Sequence, residues 1–229
     1  MKKEWENIEE KVAKDVELYP LYATPIYIKN TNIDVEKILS LAKKYEMPSQ
    51  ATDSNESSIS LSANKRVLED EVLKPLKPIL MKEFEQYNEL VWKYTNTFKI
   101  TTSWFTKTLK DGSAQWHNHQ NASISGVLYL QTDKTNGNIQ FQNFNNRWLD
   151  IQTKENTMYN FTKATFQCSA GRLIFFPAHL HHTIPINRSE NDRYSLAFNL
   201  MPVGVVGSHP DFSFTSLTSN DSTYIAETL

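Results

Sequence analysis

The sequence has 229 residues, of which 39% are hydrophobic, 12% aromatic and 22% charged, a composition typical of a folded protein with a full core. Its 24 Lys and Arg against 26 Asp and Glu give a net charge of −2, so no basic excess favours nucleic acid or an anionic membrane. The single cysteine, Cys168, excludes an internal disulfide and a multi-cysteine zinc site. The first residues lack the apolar core of a signal peptide, and no apolar run approaches the roughly 18 residues of a membrane span. We therefore expect a cytoplasmic protein that is not secreted.

Helical patterns occupy the first part of the chain, about residues 1–95. In 34–47 the apolar residues fall on one broad face, and Asp34 is a good N-cap for this helix. The Ser- and Asn-rich residues 49–62 are typical of a surface loop. We therefore expect a short helix followed by an irregular connection.

A second helical stretch covers residues 68–94 and contains two prolines. Proline inside a helix removes a backbone donor and clashes with the preceding turn, so Pro75 and Pro78 predict a break. We expect a cleaner helix to begin at about Ile79.

The sequence pattern changes after residue 95, where strand-length runs of β-branched and aromatic residues alternate with Asn, Gly and Asp. Turn signals lie at 110–112 and 135–137. The predicted strands are 97–109, 122–131, 138–143, 147–152, 171–176 and 193–201. Residues 204–229 are weakly patterned and predict a loosely docked tail.

Helices first and many short strands afterwards predict a single domain, 1–229, of a mostly β fold. The expected architecture is a jelly roll or barrel at about 96–203, with the N-terminal helices packed outside it. An exposed edge strand of such a fold could pair two copies into a homodimer.

Five of the six histidines lie in two clusters. In the first, WHNHQN, His117 and His119 are two residues apart at the end of a predicted strand, so their side chains project to the same side. Both imidazoles could then reach one metal ion, since histidine is the commonest side chain that binds metals. Two polar residues on a solvated strand face would give the same pattern.

The second cluster, FFPAHLHHTIPIN, follows a hydrophobic run typical of a buried barrel strand. His181 and His182 are adjacent and face opposite ways in an extended chain, so at most one of them enters the cavity that the first cluster faces. Aromatic and histidine residues that close one end of a barrel are the simpler alternative.

Arg193 opens an apolar strand, RYSLAFNL, eleven residues after His182. A cation among apolar neighbours needs an anionic partner. That partner could be a carboxylate of the protein or a ligand that bears one, because guanidinium binds carboxylate in a bidentate manner. Ser195 lies on the same face and could donate a second hydrogen bond to the anion.

In this order, His-x-His, SGVLYL, GRLIFFP, a further histidine and R-x-S resemble the iron(II)- and 2-oxoglutarate-dependent oxygenases, and more narrowly those found in phages and marine bacteria. The segment LYPLYATPIYI is also similar to that family's opening strand, so the resemblance spans about residues 17–203. It implies a double-stranded β-helix, which is a cupin-like jelly roll with helices packed on the outside. It also implies a cytoplasmic enzyme of a bacterium or of a phage-infected host.

The resemblance implies roles for individual residues. His117 would be the first iron ligand and His182 the distal one. Arg193, with Ser195, would hold the distal carboxylate of 2-oxoglutarate. Tyr129 in SGVLYL would contact the same co-substrate.

One position departs from the family pattern. The usual triad is His-x-Asp/Glu…His, and the middle position here is His119. Either His119 is the third ligand of a three-histidine iron site, or the register differs and the pair is His119 with Asn121. We favour His117 with His119, because neutral imidazole is a far better iron(II) ligand than a carboxamide oxygen.

The implied function is that of an iron(II)- and 2-oxoglutarate-dependent dioxygenase that consumes O2 and hydroxylates a peptide side chain or a small molecule. A cupin dioxygenase that uses three histidines without 2-oxoglutarate is one alternative, and a non-catalytic jelly-roll binding protein is another. Zinc hydrolysis is weaker, because the nearest candidate bases, Asp111 and Asp150, lie at predicted strand ends or turns. Without a basic excess, we do not expect intact nucleic acid as a substrate.

Overall fold

The structure is a computed structural model. It describes residues 23–50, 59–142, 151–155, 157, 159–207 and 215–217. Within these residues, two antiparallel β-sheets enclose an inner core, and two helices pack against the outside of the larger sheet. The fold is therefore mostly β, a jelly roll with helices outside it, as the sequence predicts.

The strands follow one another along the chain as β1 (Tyr27–Asn30), β2 (Ile59–Leu61), β3 (Thr97–Thr108), β4 (Ile124–Gln131), β5 (Ile139–Gln142), β6 (Lys163–Phe166), β7 (Arg172–Pro177), β8 (His181–Thr183), β9 (Arg193–Val206) and β10 (Thr215–Leu217). The larger sheet has the order β1-β7-β4-β9-β3-β2, and β10 pairs with the end of β9. The smaller sheet has the order β6-β5-β8. The long strands β3 and β9 pair along almost their whole length and form the longest ladder of the larger sheet.

Helices α1 (Val35–Ala42) and α2 (Leu76–Tyr87) lie on the outer face of the larger sheet. A short 3₁₀ turn, Val67–Glu69, precedes α2, and a π-helical turn, Asn88–Trp92, extends it. The buried residues of α2 recur every three or four positions, which gives the helix one apolar face. These residues are Leu76, Leu80, Phe84 and Tyr87.

The helix predictions are correct in kind and need correction at two boundaries. Asp34 caps α1 as expected, since its side chain accepts a hydrogen bond from the Lys37 backbone N–H at 3.2 Å, but the helix ends at Ala42 rather than at residue 47. Helix α2 begins at Leu76, three residues earlier than predicted. Pro78 lies in the first turn, where the backbone N–H groups have no partner within the helix, so the proline costs no hydrogen bond there.

Five of the six predicted strands correspond to β3, β4, β5, β7 and β9. Residues 147–150 of the remaining prediction lie outside the described residues, and residues 151–152 form no strand. The expected loop at 49–62 contains β2, which pairs with the end of β3, and the expected tail at 204–229 contains the end of β9 and β10. Short strands such as β2 and β10 depend on backbone pairing with a long neighbour rather than on a hydrophobic pattern of their own, so the sequence gives little sign of them.

Alternation along β9 separates the two layers of the molecule. Tyr194, Leu196, Phe198 and Leu200 belong to the outer core between the larger sheet and the helices. Arg193, Ser195, Ala197 and Asn199 take the intervening positions and therefore face the interior of the jelly roll. Partners of these residues across the sheet, such as Tyr129, share the inner face. The inner face is where the candidate site lies.

Candidate active site

Backbone pairing places two of the candidate histidines opposite each other. The His117 N–H donates to the His182 carbonyl at 3.0 Å, and the His182 N–H donates to the His117 carbonyl at 2.8 Å. This bridge adds the segment around His117 to the smaller sheet beside β8, and the two imidazole ring centroids lie 4.2 Å apart. On its other side, His182 pairs with Phe141 of β5.

His119 joins the pair because residues two apart in an extended segment face the same side. Its backbone N–H donates to the Ala178 carbonyl at 2.9 Å, which continues the pairing begun at His117. One ligand atom from each of His117, His119 and His182 lies within 4.8 Å of the others, a spacing that could hold one metal ion. His181 faces away, as adjacent residues on a strand should, and takes no part in this group.

All three imidazoles use Nδ1 for hydrogen bonding within the protein. Nδ1 of His117 lies 2.8 Å from the Gln115 carbonyl, and Nδ1 of His182 lies 2.9 Å from the Leu180 carbonyl. Nδ1 of His119 lies 2.7 Å from Oδ1 of Asn199. Because each of these oxygens can only accept, each Nδ1 carries the proton, and the three Nε2 lone pairs remain for a metal.

Burial favours the neutral form of His119 and His182. Burial lowers the pKa of His119, and the neighbouring His117 lowers it further, although the hydrogen bond with Asn199 opposes the shift. Burial also holds the pKa of His182 well below its usual range, with the charges of His117 and His119 acting in the same direction. Neutral imidazole is the form that binds a divalent metal, so the environment favours the binding form.

Aromatic side chains surround the three histidines. The Trp104 ring centroid lies 5.6 Å from that of His119, and the rings of Phe176 and Phe141 lie 4.8 Å and 5.9 Å from that of His182. These rings keep the inner side of the cluster dry, which strengthens electrostatic interactions there.

Arg193 lies on the same inner face with its charge uncompensated by any carboxylate that the structure describes. Only 1% of the residue is exposed, and its Nε has no hydrogen-bond partner. Its neighbour Asp192 instead pairs with Lys107 at 3.2 Å. The guanidinium carbon lies 4.9 Å from the centre of the Tyr129 ring. A buried, unpaired cation is costly, so this position favours an anionic ligand.

Two hydroxyl groups beside Arg193 also lack partners. The Tyr129 hydroxyl and Oγ1 of Thr108 are buried without a hydrogen bond, and Thr108 lies directly across from Arg193 in the pairing of β3 with β9. Burial raises the pKa of Tyr129 well above its usual value, so the phenol is neutral and can donate. Ser195 is buried on the same strand and pairs with Tyr129 of β4. Arg193, Tyr129 and Thr108 thus bring three unpartnered donor atoms together beside Ser195.

The structure therefore brings together the predicted residues as two groups on one face. His117, His119 and His182 form the first group, and Arg193, Ser195 and Tyr129 form the second. Between them, β9 presents only the small side chain of Ala197. Asn121 is exposed in a turn with φ of +56°, and Asp111 is exposed and pairs with Arg188 at 3.1 Å. Asp150 lies outside the described residues.

The sequence analysis did not single out three polar residues that lie at the candidate site: Asn199, Ser125 and Thr108. Asn199 contacts His119, and Ser125 contacts both His119 and Asn199. Asn199 could have been found, because it is a polar residue in an apolar strand, at even spacing from Arg193 and Ser195 and hence on their face. Nothing in the local pattern around Thr108 distinguishes it from a surface threonine.

The histidine triad and the buried arginine lie on the same inner face of the jelly roll. A family model described as "Putative 2OG-Fe(II) oxygenase" matches residues 102–199, the part that carries all three histidines and the arginine. The match covers 98 of the 229 residues, and in this part the chain is similar to oxygenases that use iron(II) and 2-oxoglutarate. No curated protein matches the sequence.

Solved structures share the fold at low identity. The α-ketoglutarate-dependent epimerase SnoN from nogalamycin biosynthesis is 10% identical with a TM-score of 0.63, covering 86% of this chain and 90% of that one. HygX from Streptomyces hygroscopicus, with nickel, 2-oxoglutarate and hygromycin B bound, is 12% identical with a TM-score of 0.55, covering 78% and 83%. A prolyl hydroxylase from Trichoplax adhaerens in complex with a peptide fragment is 11% identical with a TM-score of 0.56, covering 79% and 84%.

No helix among the described residues is both long enough and apolar enough to cross a bilayer.

Proposed function

We propose that this protein is a hydroxylase that uses iron(II) and 2-oxoglutarate to oxidise a C–H bond of a peptide side chain or of a small molecule. The observation that carries the proposal is the placement, on one inner face, of three histidines whose Nδ1 atoms are engaged and of a buried arginine that has no carboxylate partner among the described residues. One group suits a metal and the other suits an organic anion.

In this proposal His117, His119 and His182 are the metal ligands. Their engaged Nδ1 atoms support this assignment, because metal-binding histidines donate their second ring N–H to a carbonyl or carboxylate. The exposed turn position of Asn121 supports the pair His117 and His119 over the pair His119 and Asn121. The donor set is all nitrogen and neutral, which suits iron(II).

Arg193 holds the distal carboxylate of 2-oxoglutarate. Ser195 and the neutral Tyr129 hydroxyl donate further hydrogen bonds to it. The Thr108 hydroxyl, which has no other partner, can donate one more. Each of these groups is buried, so the bonds form away from competing water. The three neutral ligands, the dianionic co-substrate and Arg193 leave a net charge of about +1 around a divalent ion, where a carboxylate ligand would leave none.

When bound, iron(II) would couple the oxidative decarboxylation of 2-oxoglutarate to succinate and CO2 with insertion of an oxygen atom into the substrate C–H bond. The protein's contribution is to orient the ligands, anchor the co-substrate and exclude water. Trp104, Phe141 and Phe176 perform the last of these tasks.

Similar structures support both substrate classes. HygX was crystallised with hygromycin B, and the Trichoplax adhaerens prolyl hydroxylase with a peptide. SnoN is an epimerase, so the shared fold allows outcomes other than hydroxylation. Hydroxylation is the outcome we propose here.

The test is to add iron(II) without oxygen, then 2-oxoglutarate, and to record the metal-to-ligand charge-transfer band. We expect the band in the wild-type protein, its loss in His182→Ala because iron no longer binds, and its loss in Arg193→Ala because 2-oxoglutarate binds weakly. His181→Ala and Arg188→Ala are matched controls. His181 is not part of the histidine group, and Arg188 forms an exposed ion pair with Asp111. Both controls should keep the band.

Other outcomes would separate the alternatives. If iron binds but 2-oxoglutarate never produces the band, the protein is a three-histidine dioxygenase that does not use this co-substrate. If iron does not bind, the histidines no longer form a metal site, and the protein is a non-catalytic binding protein. Succinate formation with candidate peptides and small molecules then identifies the substrate.

A further inference from the structure

The three histidines of the site are oriented by two different means. The rings of His117 and His182 each bond to a backbone carbonyl two residues earlier in their own segment, so no other side chain is needed to hold them. His119 instead bonds to two side chains, Asn199 on β9 and Ser125 on β4. Its orientation therefore depends on residues that are not its neighbours in sequence.

The Asn199 amide also bonds to a third residue. Nδ2 of Asn199 donates to Oγ1 of Thr102 at 3.1 Å, while Oδ1 faces His119. Ser125 is 1% exposed, and its hydroxyl donates to the same Oδ1 at 2.9 Å. The Asn199 oxygen thus receives the His119 Nδ1–H at 2.7 Å and the Ser125 hydroxyl, and it can donate to neither.

This arrangement selects one tautomer of His119. With an acceptor 2.7 Å from Nδ1, the proton lies on Nδ1 and the lone pair lies on Nε2, the ring nitrogen that remains for a metal shared with His117 and His182. The opposite tautomer carries its proton on Nε2 and has no lone pair to give. A carboxylate in this position would need no such selection, since both of its oxygens can bind a metal. The departure from the family pattern at His119 therefore creates a requirement that Asn199 meets.

We propose that Asn199, held by Thr102 and assisted by Ser125, is the positioning residue that makes His119 a metal ligand by fixing its Nδ1–H tautomer. This inference rests on the proposed function, because it assumes that His119 binds the metal. Asn199 touches neither the metal nor the co-substrate in this scheme and acts only through the histidine.

The tautomer can be measured in the protein without metal. Long-range ¹H–¹⁵N correlation spectra, recorded above the pKa of the site histidines, distinguish Nδ1–H from Nε2–H rings, and the His119 signals are those absent from His119→Gln. We expect Nδ1–H in the wild-type protein and in Asn199→Asp, whose carboxylate still accepts the proton. Asn199→Leu, which has nearly the same size, should lose the preference. If His119 carries its proton on Nε2 in the wild-type protein, the inference about Asn199 is wrong. The proposed binding of iron(II) and 2-oxoglutarate would still stand.

Metal affinity provides the second measurement, with nickel(II) or cobalt(II) as the probe. Asn199→Leu should bind the ion about 10- to 100-fold more weakly, as removal of the partner of a ligand histidine usually does. Asn199→Asp should stay close to the wild-type affinity, and Ser125→Ala should lose less than Asn199→Leu. Asn96→Ala is the matched control, because its amide also bonds to β9, at Val203 and Val205, but away from the histidines. It should leave the affinity unchanged.

A double-mutant cycle separates positioning from a general structural effect. In a His119→Ala background, Asn199→Leu should weaken nickel binding no further, because the residue through which it acts is gone. An equal loss in both backgrounds would contradict the inference. If the wild-type protein binds nickel and 2-oxoglutarate but Asn199→Leu binds nickel normally, the inference fails and the proposed function stands. If the wild-type protein binds no divalent ion at all, both fail.

Discussion

The two faces of β9 are built for opposite purposes. Its outer residues, Leu196, Phe198 and Leu200, are fully buried apolar side chains that pack under the helices. Its inner residues, Arg193, Ser195 and Asn199, are polar, and Arg193 has a buried nitrogen without a partner. A single strand with a period of two therefore carries the stability of the fold on one side and its chemistry on the other.

The difference between the two faces shows how the protein offsets the free-energy cost of burying polar groups at the site. Buried polar groups without partners destabilise a folded protein, so the inner face alone would weaken the sheet. The outer face offsets this, because each buried Leu or Phe side chain contributes about 1.5–3 kcal/mol. Substitutions on the outer face should accordingly change the free energy of unfolding and leave binding unchanged. Substitutions on the inner face should do the reverse.

Phe198→Ala tests the outer face and should have the largest effect on stability. The ring is completely buried and lies 5.7 Å from the Phe175 ring, so truncation leaves a cavity in the outer core. We expect the free energy of unfolding to fall by about 3–5 kcal/mol, measured by denaturant titration. In the absence of denaturant the variant stays folded, and its affinity for nickel should match the wild-type value. A variant that loses affinity in proportion to stability would show that the two faces are not separable.

Arg193→Leu tests the inner face in the opposite direction. Removal of the guanidinium should weaken 2-oxoglutarate binding by about 2–5 kcal/mol, because the co-substrate carboxylate is then buried without its charged partner. Without co-substrate, the variant should be as stable as the wild-type protein or more stable, since a buried unpaired cation has been replaced by an apolar side chain. Calorimetry of 2-oxoglutarate binding to the nickel form and thermal unfolding of the metal-free form measure the two effects. A marked loss of stability would mean that the guanidinium has a partner within the protein.

Gly126→Ala returns to the outer face with a smaller change. A Cβ at this position of β4 would lie 2.4 Å and 2.5 Å from two carbons of the Phe198 ring and 3.0 Å from the Phe175 ring. The ring must shift, and such overpacking costs about 1–3 kcal/mol. Combining Gly126→Ala with Phe198→Leu should cost less than the sum of the two single changes, because the smaller side chain makes room. Additive losses would show that the backbone rather than the ring opposes the methyl group.

The sequence predicts the long elements of this fold well, and it predicts the site in outline. The hydrophobic residues of β9 and their alternation predict this strand. The His-x-His spacing places His117 and His119 on one side of their segment. The partnership of His117 with His182 comes from a backbone bridge between distant segments, which no local pattern specifies. The same holds for the contact of His119 with Asn199, which are 80 residues apart. Periodicity gives the face of a side chain, whereas tertiary pairing decides what it meets there.

Asp133→Asn should have the smallest effect, and it tests the loop that leads into Arg193. The Asp133 carboxylate accepts hydrogen bonds from Ser189 and from the Thr135 N–H, and the bond from Ser189 does most to lower its pKa to about 2. Because the folded pKa lies below the ordinary value of 3.8, this carboxylate adds stability above pH 3.8 and loses it as the pH falls towards 2. The wild-type protein should lose stability over this interval more steeply than Asp133→Asn, by a modest amount because the carboxylate is close to solvent. Urea titrations between pH 4 and pH 2 measure the slopes, with Asp111→Asn as an exposed control. Equal slopes for the wild-type protein and Asp133→Asn would show that the bonds to Ser189 and Thr135 do not hold the loop, and that Arg193 is positioned by β9 alone.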